Sequence, residues 1–130
     1  MVKKIFISLF VLLTLFLNGS FLSGQENHQL NKNLPELLFF YSESCHACHK
    51  ARREIMPVIE QEFYRKISIR YLDIANVDNY KLMLSLKQRY NCKDAGVPTV
   101  FLEGAVLVGY DGIKDNLRGV IIKTLKEKDL

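Results

Sequence analysis

Hydrophobic patterning predicts an α/β fold, a three-layer α/β/α sandwich with the minimal core order β-α-β-α-β-β-α. Three observations carry this. Short apolar runs rich in β-branched and aromatic residues recur at positions 37–41, 67–74, 100–102 and 105–110. Stretches of helical period separate the first three runs, and Glu103-Gly104 turns the third tightly into the fourth. Two parallel strands joined by a right-handed crossover, then a hairpin and a helix, place helices on both faces of one sheet.

The first residues stand outside that pattern. Lys3 and Lys4 precede an apolar run from Ile5 to Leu17, broken only by Ser8 and Thr14, and a small or polar stretch follows to Gly24. Residues 1–24 therefore read as a secretory signal peptide, whose apolar region runs ~7–15 residues. The competing reading is an N-terminal membrane anchor within residues 5–22, although a span takes ~20 apolar residues. The expected location is outside the cytoplasm, periplasmic or otherwise extracytoplasmic, with membrane attachment only if this segment is retained. Residues 25–35 are polar and aperiodic, a flexible lead-in. Residues 36–130 form the domain, because about 106 residues remain after the leader, enough for one small core and too few for two.

Within the domain, Leu37 to Tyr41 is a continuous apolar run, expected of a strand covered on both faces in a parallel sheet. Ser42-Glu43-Ser44 turns the chain, and Ser44 is placed to cap the next helix. From there Ala47, Ala51, Ile55, Val58 or Ile59, and Phe63 follow helical spacing, leaving Lys50, Arg53, Glu54 and Glu60 to solvent. Pro57 lies inside this helix and should bend it, lacking an N–H and clashing with the preceding turn.

Ile67 to Ile74 is the second strand. Asn76 or Asp78 caps the second helix, whose buried side is expected to hold Val77, Tyr80 and Leu84, with Met83 and Lys87 to Tyr90, widened by Leu82 and Leu86. Asn91 to Gly96 breaks the pattern, and Val97-Pro98-Thr99 leads into the third strand. Asp111 is placed to cap the last helix, with Ile113, Leu117, Val120 or Ile121, and Leu125 inward. Lys123, Lys126 and Lys128 sit near its C-terminus, where cations suit the dipole.

Charge and cysteine content narrow the chemistry. The formal net charge of +4 falls to roughly +2 once Lys3 and Lys4 are removed, and the remaining bases alternate with acids, which argues against a nucleic-acid partner. Three cysteines make an odd number, two of them paired as Cys45 and Cys48. A loop that short constrains the unfolded chain little, so a bond between them has chemical rather than structural value.

Cys45-His46-Ala47-Cys48-His49 allows a redox-active dithiol or covalent c-type haem attachment. As a haem site, His49 would be the proximal ligand and Met56 or Met83 the distal one. Four strand-like segments argue against a small, mainly helical cytochrome, and both methionines fall in expected helices rather than ligand loops. A copper- or zinc-binding module built from Cys45, His46, Cys48 and His49 suits the donor types. Four donors crowded into five residues surround one ion poorly, so no metal site is assigned.

Position favours Cys45 as nucleophile. A helix N-terminus offers unpaired N–H groups and the positive dipole end, both of which stabilise a thiolate. Cys45 at the junction is the attacking sulfur, and Cys48, one turn further in, the resolving one. His46 and His49 are candidates for redox tuning by adding positive charge near Cys45.

Taken in order, the apolar strand running into Cys45-x-x-Cys48, the strand ending Tyr71-Leu72-Asp73-Ile74, and Gly96-Val97-Pro98-Thr99 before an apolar hairpin resemble the thioredoxin superfamily over residues 37–125. The resemblance implies a thiol–disulfide oxidoreductase whose only cofactor is its own Cys45–Cys48 disulfide. It also implies that Pro98 is a cis-proline opposite the dithiol, and that the main chain at Val97 and Pro98 binds an extended substrate segment by strand addition. Partners would be cysteine-containing proteins and a redox partner that recharges the dithiol. Two departures matter. Thioredoxins proper carry a buried acid six residues before the first cysteine, where this chain has Phe39, and their aromatic-Cys-Gly-Pro-Cys loop is replaced by Ser44, His46 and Ala47. Proton transfer at Cys48 must then use water or another group such as Glu43, which favours a specialised exported enzyme. Cys92, six residues before Pro98, is expected to be a small buried hydrophobe, with a third redox thiol as the sharper alternative.

Overall fold

A computed structural model describes residues 34–94 and 96–130. The leader and nearly all of the lead-in lie outside the described residues. Four strands, β1 (Glu36–Tyr41), β2 (Ser68–Asp73), β3 (Thr99–Leu102) and β4 (Ala105–Val108), form one sheet in the order β2-β1-β3-β4. Strand β1 runs parallel to β2 and antiparallel to β3, and β3 pairs antiparallel with β4. The sheet is thus mixed rather than wholly parallel. Ordered pairing starts one residue ahead of the expected domain boundary, since buried Pro35 accepts a hydrogen bond from Ser68 N–H at 2.9 Å.

Alternation along β1 divides the core. Leu37 and Phe39 face one side, where α1 (His46–Glu54), α2 (Met56–Glu62) and α4 (Gly109–Glu127) contribute Ala51, Met56, Ile59, Ile113, Leu117 and Ile121. Phe40 faces the other, with Leu72, Phe101 and Met83 of α3 (Val77–Arg89). The result is the three-layer sandwich expected from the patterning. The fold is thioredoxin-like.

Local chemistry explains where the elements end. Pro57 divides the expected single helix rather than bending it: α1 ends at Glu54 with Ile55 as its C-cap, and α2 starts with Pro57 in its first turn, where a missing N–H costs nothing. Val58 is left exposed, and Met56 takes an inward place. Asn76 caps α3 through its side chain, accepting from Asp78 N–H at 2.9 Å and Asn79 N–H at 3.2 Å. Asp111 does not cap α4; it lies in the first turn, because the helix already starts at Gly109. Glu103 and Gly104 both have positive φ, 45° and 89°, the geometry of a two-residue hairpin turn.

The inward face of α3 differs most from expectation. Val77, Tyr80 and Leu84 point to solvent, Val77 being 62% exposed, and Met83 and Lys87 are the buried residues. Periodicity does not distinguish two apolar stripes on one helix. Packing against Phe40 and Phe101 selects the Met83 stripe.

Candidate active site

Sheet register brings two distant segments together. Phe40 pairs with Thr99, so the chain leaving β1 toward Cys45 and the chain entering β3 from Val97-Pro98 meet at one end of the two central strands. Cys45 and Cys48 are disulfide-bonded, with Cα atoms 5.2 Å apart. Cys45 is partly exposed, whereas Cys48 is 1% exposed. The Val97–Pro98 peptide bond is cis, as the resemblance implied. Val97 O lies 3.6 Å from Cys45 Sγ across 52 residues of sequence.

Cys45, not Ser44, is the N-cap of α1. Its backbone is extended, at φ −90° and ψ 108°, and its sulfur accepts the Cys48 N–H at 3.0 Å. Ser44 is engaged elsewhere, its hydroxyl 3.0 Å from that of Ser42. The cap position therefore gives Cys45 Sγ a backbone donor at the positive end of a helix whose first turn holds no acid. Such a donor stabilises the sulfur more when it is an anion.

The two histidines differ in setting. His46 is exposed on the first turn of α1. His49 turns back on the preceding loop, where its Nε2 lies 2.6 Å from Glu43 O and 3.9 Å from the Glu43 carboxylate. Arg52, one turn on, donates to Glu43 Oε1 at 3.3 Å and stacks over Tyr41, 4.5 Å from the ring centre. His49 and Arg52 thus clasp the Ser42–Ser44 turn to α1. The Glu43 carboxylate is exposed and paired with Arg52, so it does not reproduce a buried acid. Phe39 is fully buried against Tyr41 and Tyr71.

Several groups around Pro98 had no assigned role in the sequence. Buried Lys87 donates from Nζ to Gly96 O at 2.9 Å, and Thr99 Oγ1 donates to the same oxygen at 2.6 Å. Asp94 Oδ1 accepts the Gly96 N–H at 2.7 Å, and Pro98 O accepts the Gly109 N–H at 2.8 Å. Burial pushes the Lys87 amine below its ordinary value, against the opposing charges of Cys92 and Asp94. Cys92 is half-buried and not the sealed core residue expected, because it follows the end of α3 at the surface; its thiol faces Asp94 O at 3.8 Å. The pairing of an apolar helix position with a lysine was the one available signal for the Lys87 contact.

Met56 and Met83, the two methionines considered as haem ligands, are packed in the cores on opposite faces of the sheet. Among the described residues, no group of three His, Cys, Asp or Glu side chains is arranged to hold a metal ion. Also among them, no helix is long and apolar enough to cross a membrane.

No protein-family model matches the chain, and no curated protein does. Among solved structures the chain is similar to one described as the crystal structure of a buckwheat glutaredoxin–glutathione complex, at 19% identity over 72% of this chain and 78% of that one, with a TM-score of 0.48.

Proposed function

We propose that the protein is a thiol–disulfide oxidoreductase acting on cysteine-containing proteins outside the cytoplasm through its Cys45-His46-Ala47-Cys48 dithiol. The observation that carries this reading is the unequal exposure of a bonded pair, partly open Cys45 and buried Cys48, beside the Val97 main chain. In the reducing direction, the Cys45 thiolate attacks one sulfur of a substrate disulfide, forms a mixed disulfide and expels the other sulfur as a thiolate. Cys48 then loses its proton to water and attacks Cys45 Sγ. The second substrate sulfur leaves and takes up a proton, and two electrons have passed from dithiol to substrate. Oxidation is the same sequence reversed, and a redox partner restores the starting form.

Val97 would hold the substrate. Among the described residues its N–H has no acceptor, so an extended segment can pair there as an added strand. His46 supplies positive charge near the sulfurs, and His49 acts by holding the loop through Glu43. Export rests on the layout of residues 1–24, and the small net charge supports no nucleic-acid partner. The deciding experiment is reduction of a protein disulfide by purified mature protein, with the reduction potential of the Cys45–Cys48 couple setting direction. A potential near ~−120 mV marks an oxidant and one near ~−270 mV a reductant. A covalent haem absorption band in the exported protein would overturn the reading.

A further inference from the structure

An amine removed from water needs a compensating partner, and a buried lysine is rare without one. Lys87 is 4% exposed, and among the described residues its partner is a single backbone oxygen, Gly96 O. The fully buried Thr99 hydroxyl donates to that same oxygen, so both lone pairs of one carbonyl are used, one from α3 and one from β3. Asp94 takes the N–H of the same residue. Two residues on, Pro98 O is held by Gly109 N–H. Clamps at Gly96 and Pro98 thus leave Val97 between them, its oxygen 3.6 Å from Cys45 Sγ.

We infer that Lys87 is a positioning residue for substrate binding: its contact with Gly96 O sets where the Val97 main chain stands opposite Cys45. This rests on the oxidoreductase reading and adds a residue that touches neither sulfur. The lysine acts on the docking edge and not on the nucleophile. Substrates that pair with Val97 therefore depend on Lys87, whereas small reagents that meet only the Cys45 sulfur do not.

The test compares wild type with Lys87→Met, which keeps the stem and removes the donor, and with Thr99→Val, which removes the other donor on Gly96 O. Each reduced protein is mixed with a short peptide disulfide under single-turnover conditions, and Cys45 alkylation by iodoacetamide is followed by mass spectrometry. For folded Lys87→Met the half-saturating peptide concentration should rise roughly tenfold with the maximal rate within about twofold, the signature of lost binding. Cys45 alkylation should stay within about twofold of wild type, since its backbone donor is untouched. If Lys87→Met does not fold, Thr99→Val decides, with the same direction of change. Unchanged half-saturation in the folded variant, or equal changes in exchange and alkylation, would overturn the inference while leaving the enzyme reading intact. A wild type without exchange activity on the peptide would overturn both.

Discussion

Cys45 Sγ and Val97 O stand 3.6 Å apart although 52 residues separate them, and this contact joins a helix N-terminus to the loop before β3. It exists because β3 is antiparallel to β1 with Thr99 opposite Phe40. A shift of that register would separate Cys45 Sγ from the Val97 main chain.

Unequal burial of the two sulfurs assigns them different fates. Cys45→Ser should reduce disulfide exchange to the uncatalysed level. Cys48→Ser should instead accumulate a covalent adduct between Cys45 and substrate, visible on a non-reducing gel and lost on adding reductant. Equal residual turnover in the two variants would contradict the assigned roles.

Phe39 is fully buried in the apolar core, its ring against Tyr41 and Tyr71. Phe39→Ala should lower stability by about 3–5 kcal/mol through the cavity it leaves. Phe39→Asp should cost more, because an unpaired carboxylate joins the cavity. Urea unfolding measures both, and a well-folded Asp variant with wild-type stability would show that the site tolerates a buried acid after all.

Two glycines of α4 should respond oppositely to alanine. Gly119 lies in the helix interior with open space around an added Cβ, so Gly119→Ala should stabilise by about 0.5–1 kcal/mol. Gly109 has φ 77°, so Gly109→Ala should destabilise by about 1–2 kcal/mol despite having equal room. Urea midpoints that move in the same direction would refute the backbone explanation.

Alkaline stability should depend on Tyr71. Burial first, then the 2.5 Å hydrogen bond to Glu60 and its charge, hold the phenol above its ordinary value of 10.0, with Arg52 opposing. Above pH 10 the unfolded chain ionises before the folded one, so the folded state binds more protons and stability falls as pH rises. Below that the contribution is complete. Tyr71→Phe should therefore flatten the fall in urea midpoint between about pH 9 and 11. Lys87, shifted downward, acts in the opposite sense in both proteins and cancels in the comparison. Parallel curves for the two proteins would count against the Tyr71–Glu60 explanation.

The helical clasp on the turn before Cys45 gives a further check. His49→Leu removes the ring nitrogen that meets Glu43 O, an exposed contact, so stability should change by less than about 1.5 kcal/mol. The effect should appear instead as a changed reduction potential, measured by equilibration with glutathione. An unaltered potential would assign the clasp no part in tuning.

The sequence by itself determined the features whose causes are local. Continuous apolar runs specify strands, Asn76 and Glu103-Gly104 carry their own cap and turn chemistry, and Cys45-x-x-Cys48 is legible as a pair because both sulfurs lie within one turn. Tertiary structure decided what depends on neighbours distant in the chain. Val77, Tyr80 and Leu84 satisfy helical spacing as well as Met83 does, and only the sheet beneath α3 selects the buried stripe. Cys92 resembles a small core residue until the end of α3 places it half-open. Helical spacing places Lys87 on the buried side of α3, but only the tertiary structure supplies its partner, a carbonyl nine residues later beside Pro98 that accepts a hydrogen bond from its amine. Composition and period describe each segment's own preference, whereas register and packing determine which groups meet, and the approach of the Val97 main chain to Cys45 exists only through that meeting.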